Sequence, residues 1–145
     1  MIVENALNYR QEVIALLKSE KLPAEDLPEK LDNFLAIRHE GHLVAAAGVE
    51  QYGSYALLRS VVVLSDFRNR GVAGKLLAAI EELALNKGIK TVYLLTETAP
   101  EYFSRKGYQQ IGRNSIPVEV QKSSEFSHVC PQSAVVMRKV IADNQ

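Results

Sequence analysis

The order of apolar runs and turn signals predicts an α+β or α/β fold: a mixed central β-sheet, mostly antiparallel in its first half, flanked by helices. Three observations carry this. Glu40-Gly41 and Gly53-Ser54 are turn signals that separate three strand-like runs in the first half of the chain. A long amphipathic segment follows, with Val72, Leu76, Leu77, Ile80, Leu83 and Ala84 on one face. The next run, Lys90 to Thr96, is apolar on both faces, as a central strand is.

Each element has its own signal. Met1-Ile2-Val3 is a short first strand, and Asn8 is placed to cap a helix carrying Val13, Ile14, Leu16 and Leu17. Leu22-Pro23 to Pro28 is an acidic connector leading into a short helical turn near Leu31. Strands are expected over 33–39, 42–52 and 55–64. The long helix runs from about Gly71 to Lys87, where Gly88 stops it. A short helix over 99–107 ends at Gly107, with Arg105 and Lys106 suited to its negative end. Tyr108 to Ile111 is a strand, Ser115-Ile116-Pro117-Val118 a helix entry with Pro at the first position, and Ala134 to Val140 the last strand. There is no repeat or low-complexity stretch.

At 145 residues the chain is expected to form a single domain, 1–145. Seventeen basic residues balance seventeen acidic ones, which argues against a polyanion partner such as nucleic acid. No leader pattern is seen, and no apolar run approaches the ~18 residues of a membrane span. One cysteine, Cys130, permits no internal disulfide and suits a reducing compartment, so the expected address is cytoplasmic. No metal site is read from the sequence.

The most telling stretch is Asp66-Phe67-Arg68-Asn69-Arg70-Gly71-Val72-Ala73-Gly74-Lys75-Leu76-Leu77. It joins the apolar run Val61-Val62-Val63-Leu64 to the long helix. The first turn of a helix leaves N–H groups outside its hydrogen-bond ladder and carries partial positive charge. Gly71, Ala73 and Gly74 remove bulk there, so a pyrophosphate can approach closely, and Arg68 and Arg70 add fixed charge. The nucleoside triphosphate loop is excluded because Gly71 and Gly74 are too close and Leu76 replaces the metal-binding hydroxyl. The dinucleotide fingerprint is excluded because Gly71-Val72-Ala73-Gly74 lacks its spacing.

Arg68, Gly71 and Ala73 spell Arg-x-x-Gly-x-Ala after an apolar strand, which resembles the acetyl-CoA pyrophosphate loop of the GNAT superfamily of N-acetyltransferases. Ala99-Pro100-Glu101-Tyr102-Phe103-Ser104-Arg105-Lys106-Gly107-Tyr108 is similar to that superfamily's second signature, some thirty residues later. The resemblance implies a GNAT-like sheet and attack of an amine on the thioester of acetyl-CoA, which serves as co-substrate. It assigns the cofactor to Arg68, Asn69, Arg70, Gly71, Val72, Ala73 and Gly74, with Phe103 nearby. The backbone of Val61, Val62 and Val63 would pair with the pantetheine arm, and an N–H near Val62 or Val63 would serve the tetrahedral oxygen.

The amine must lose a proton. With a pKa near 10, its neutral form costs about 4 kcal/mol at pH 7. Glu50, within an apolar strand, and Glu97, at the end of a strand, are the candidate bases, Glu50 being preferred because an acid in an apolar run needs a partner or a purpose. Arg59 interrupts the strand that leads into the cofactor loop, either to pair with an acid such as Glu50 or to grip a substrate carboxylate. Ser60, Thr96 and Ser133 are further candidates for substrate hydrogen bonds. Many relatives place a Tyr as general acid four residues before the glycine; Phe103 holds that register here, and Tyr102 is one residue, about 100°, off it.

Ala56 to Val61, Tyr93 to Ala99 and Cys130 to Lys139 narrow the likeness to small amino-acid N-acetyltransferases of the arsenic-resistance type, akin to glutamate N-acetylating enzymes. That branch implies a small amine, with a carboxylate, as partner. A lone Cys130 is a poor arsenic site and reads as a structural cysteine. No nucleic acid or membrane partner is expected, and the chain is a monomer or homodimer. Two other readings stay open: an acetyl-CoA-binding module without catalysis, and a protein N-terminal acetyltransferase.

Overall fold

A computed structural model describes residues 1–123 and 134–142. Seven strands form one sheet in the order β1-β2-β3-β4-β5-β7-β6: β1 (Ile2–Asn5), β2 (Phe34–His39), β3 (His42–Tyr52), β4 (Tyr55–Val63), β5 (Thr91–Thr96), β6 (Gln109–Ile111) and β7 (Val135–Val140). Among the described residues four α-helices accompany them: α1 (Arg10–Ser19), α2 (Val72–Asn86), α3 (Pro100–Arg105) and α4 (Val118–Gln121). The pairs β1–β2, β2–β3, β5–β7 and β6–β7 are antiparallel, and β4–β5 is parallel. This is the expected mixed sheet, antiparallel at its start. The chain divides into two compact units, Met1–Val49 with Ser60–Leu83, and Glu50–Arg59 with Ala84–Gln145.

In the first unit, β3 is buried on both faces from Leu43 to Val49, which its run of small and aliphatic residues permits. Phe34 pairs in register with Gly48, and its ring occupies the place of the missing side chain: a Cβ on Gly48 would lie 2.4 Å from Phe34 Cγ. The core gathers Val13, Leu16 and Leu17 of α1 with Leu27, Leu31, Phe34, Leu43 and Val62. One expectation fails here. Asn8 does not cap α1; Tyr9 is the N-cap, without a side-chain bond. The chain already turns at Asn5, whose Oδ1 accepts from Leu7 N–H at 2.7 Å, and Tyr9 N–H then donates to Ala6 C=O at 2.9 Å. The turn expected near Leu31 is present as a single hydrogen-bonded turn, with Leu31 C=O accepting from Phe34 N–H at 3.2 Å; 20–21, 25–26 and 32–33 are the turns of this connector.

In the second unit, Leu57, Tyr93, Ile116, Val120 and Val136 make the core. Gly88, at φ +81°, follows α2 in the left-handed conformation, with Ile89 N–H closing on Ala84 C=O at 3.0 Å. The same pattern ends α3, where Tyr108 N–H reaches Phe103 C=O at 3.0 Å. Pro117 is the N-cap of α4 rather than its first residue, because the turn Arg113–Ser115 before it leaves Ile116 and Pro117 extended.

Candidate active site

The loop at the start of α2 lies in the first unit. Two left-handed residues shape it, Asn69 at φ +63° and Gly71 at φ +76°. Asparagine tolerates that region better than most side chains, and glycine enters it freely. A Cβ on Gly71 would meet nothing within 4 Å, so the glycine serves the backbone conformation and the space beside it is open. Lys75 N–H donates to Gly71 C=O at 3.1 Å, the start of the helical ladder. The N–H groups of Val72, Ala73 and Gly74 therefore precede that rung at the positive end of a 15-residue helix, whose first turn holds no acidic residue.

The arginines of the loop differ. Arg68 is a strap: its Nε donates to Val63 C=O at 3.2 Å, and its Nη2 pairs with the Glu20 carboxylate just past α1. Arg70 is exposed and lies over the Phe67 ring, 5.3 Å from its centroid. Donors, a fixed cation and no competing carboxylate in the helix's first turn form a surround that fits a diphosphate. Val62 and Val63 are buried, and Leu64 N–H beyond them donates to Val44 C=O at 2.9 Å.

A polar cluster lies in the second unit. Arg59 Nη1 stands 3.4 Å from Glu50 Oε1; the Arg59 side chain is 0 % exposed and that of Glu50 20 %. The sequence left Arg59 either paired or waiting, and the structure brings it to Glu50. Glu50 Oε1 also accepts from Ser123 Oγ at 2.6 Å. Glu50 and Tyr52 are two residues apart on β3 and so share a face. Burial pushes the Tyr52 phenol up, with the Glu50 charge adding to the rise and Ser123 and Arg59 opposing it.

Other predicted residues have other surroundings. Ser60 adopts φ +57°, a left-handed conformation in the middle of β4. Thr96 Oγ1 accepts from Ala99 N–H at 3.1 Å and so organises the entry to α3, while Glu97 is exposed just past β5. Phe103 is buried, with its ring against those of Tyr102 and Tyr108 at 5.4 and 5.7 Å. The Tyr102 hydroxyl is buried without a hydrogen-bond partner among the described residues, and burial raises its pKa against the lowering effect of Arg105. Ser133 and Cys130 lie outside the described residues. No group of three or more metal-binding side chains occurs among the described residues. Nor is any helix among them long and apolar enough to cross a membrane.

Sequence reasoning missed Tyr52 and Ser123. The spacing Glu50-x-Tyr52 on a strand was a usable signal; nothing in the sequence ties Ser123 to Glu50.

Residues 8–112 match the acetyltransferase (GNAT) family. The chain belongs to this family. An uncharacterized N-acetyltransferase of Chlorobaculum tepidum is 27% identical to this GNAT chain over 113 residues, 77% of this chain and 70% of that one. An amino-acid acetyltransferase of Haemophilus ducreyi is 26% identical over 111 residues, 75% of this chain, which spans only 25% of that enzyme. Among solved structures, N-acetylglutamate synthase of Neisseria gonorrhoeae, complexed with coenzyme A and N-acetyl-glutamate, superposes with a TM-score of 0.79 at 16% identity, over 98% of this chain and 35% of that chain. That likeness shows the GNAT fold. GNAT enzymes use acetyl-CoA as co-substrate.

Proposed function

We propose that this GNAT enzyme transfers the acetyl group of acetyl-CoA to the amine of a small amino acid or amino-acid analogue, by direct attack in a ternary complex. The observation that carries the reading is the largely enclosed Glu50 carboxylate, backed by a wholly buried guanidinium. Chemistry on an amine needs an anion that draws the ammonium in and takes its proton, directly or through water. Glu50 fills that role here, and Arg59 and Ser123 hold it. Glu97, exposed just past β5, is the second candidate for the same proton.

The coenzyme's diphosphate is assigned to the N–H groups of Val72, Ala73 and Gly74, with Asn69, Arg70 and Gly71 shaping the loop and Arg68 bracing it. The backbone of Val61, Val62 and Val63 is assigned to the pantetheine arm. Ser60 and Thr96 are retained as substrate contacts, and residues 1–145 as one cytoplasmic transferase domain. The amino-acid acceptor is supported by the amino-acid acetyltransferase relative, which shares 26% of residues over three quarters of this chain.

The test is thiol release from acetyl-CoA over a panel of free amino acids including glutamate, simple amines and a short peptide. Turnover on free amino acids is expected, reduced about 10²- to 10⁴-fold by Glu50→Gln. Acetylation of the peptide alone, or tight cofactor binding with no amine consumed, would overturn the proposal.

A further inference from the structure

We propose that Ser123 is a positioning residue of the transferase, acting through Glu50. This rests on the reading that Glu50 serves the acceptor amine. The terminal torsion of a glutamate is broad, so its own preference does not set the plane of the carboxylate. Something outside the side chain must do so if the group is to meet an amine at a defined angle. Ser123 Oγ lies 2.6 Å from Glu50 Oε1, within the range of a strong hydroxyl–carboxylate bond. Arg59 Nη1 is farther from the same oxygen, at 3.4 Å. The guanidinium supplies charge from the enclosed side, and the hydroxyl supplies direction.

Ser123 is well fixed for this. It is 2 % exposed, and its backbone N–H donates to Val120 C=O at 3.1 Å. Val120 is wholly buried against Leu57, Tyr93, Ile116 and Val136. A residue 73 positions from Glu50 is thus held by the core of the second unit, and its hydroxyl is given to the carboxylate. Tyr52 lies two residues from Glu50 on the same face of β3. The groups set on the Glu50 carboxylate are then one hydroxyl and one guanidinium, both able to donate. A carboxylate so surrounded cannot rotate without losing a bond, which is what a proton acceptor for a small amine requires.

The experiment measures thiol release by the full-length enzyme, with acetyl-CoA and the best amine of the panel, for Ser123→Ala, Ser123→Thr and Glu50→Gln. Melting temperature and acetyl-CoA affinity are read alongside. Ser123→Ala is expected to lower kcat about 10- to 100-fold and displace the pH profile, with KM for acetyl-CoA unchanged. Ser123→Thr, which keeps the hydroxyl, is expected to restore most of the rate. If Ser123→Ala does not fold, Ser123→Cys replaces it, since a thiol is a weak donor of similar size. Wild-type kcat and pH profile in the alanine or cysteine variant, beside an impaired Glu50→Gln, would overturn the role of Ser123 and leave that of Glu50 standing. Failure of threonine to restore the rate would make the residue structural and also overturn the inference. Full activity of Glu50→Gln would remove Glu50 itself, and the positioning role with it.

Discussion

Removing Glu50 and removing Arg59 should not cost the same. At 3.4 Å, with an effective dielectric of about 20, the pair attracts by about 5 kcal/mol before desolvation is counted. What decides the cost of each deletion is the group left behind. Glu50→Ala leaves a guanidinium whose side chain is 0 % exposed, and taking the partner from a buried charge costs about 3–5 kcal/mol. Arg59→Met leaves a carboxylate that is 20 % exposed and still bonded to Ser123. Methionine fills much of the vacated volume, so that change should cost about 1–2 kcal/mol. The double variant should be more stable than the two single losses predict, by about 1–3 kcal/mol. Urea unfolding of the four proteins measures this cycle; for a chain of this length each kcal/mol also moves the melting temperature by about 3 °C. An Arg59→Met cost equal to or above that of Glu50→Ala, or a coupling under about 0.5 kcal/mol, would refute the reasoning.

Three further outcomes are expected. Gly48→Ala should lose about 1–3 kcal/mol by overpacking, since its Cβ would fall 2.4 Å from Phe34 Cγ; an unchanged thermal melt would mean the ring moves aside without cost. Gly71→Ala should lose only about 1–2 kcal/mol of stability, because its left-handed backbone is strained but its methyl is unobstructed. Its acetyl-CoA affinity should fall further, and calorimetry finding that affinity intact would remove the loop as the diphosphate cradle. Burial raises the phenols of Tyr52, Tyr93 and Tyr102 above the ordinary value near 10. Their neutral forms thus stabilise the folded state below about pH 10, and that stability is lost as pH rises through the folded values. Tyrosinate absorbance of the folded protein should complete at a higher pH than that of the denatured chain, and coincident curves would contradict this.

The sequence made the strands and the long helix readable because their residues are chosen locally. The β3 run fixes a buried strand by itself, and the spacing of Val72, Leu76, Leu77 and Ile80 fixes α2. Signals that depend on competition between neighbouring residues do not settle the structure locally. Asn8 looks like a cap, but Asn5 turns the chain first. Pro117 looks like the first helical residue, but the turn Arg113–Ser115 before it, which has no strong sequence mark, makes it the N-cap of α4. The position of β7 between β5 and β6 depends on long-range pairing that local pattern does not encode. The same division applies to the polar groups. Glu50 and Arg59 stood out because charge inside apolar strands is costly, whereas Ser123 is an ordinary residue until the fold sets its hydroxyl on Glu50.

The Phe34 ring seated over Gly48 has a consequence for how the first hairpin finds its alignment. Ala45, Ala46 and Ala47 offer nearly identical small faces, so by themselves they would let β2 slide along β3 with little penalty. Gly48 is a notch in that smooth row, and Phe34 is the key that fits it. Moved two steps in either direction, the ring would press on the Cβ of Ala46 or Glu50. One glycine thereby selects a single alignment from several that differ little in hydrophobic contact, and it does so before any distant part of the chain need be in place.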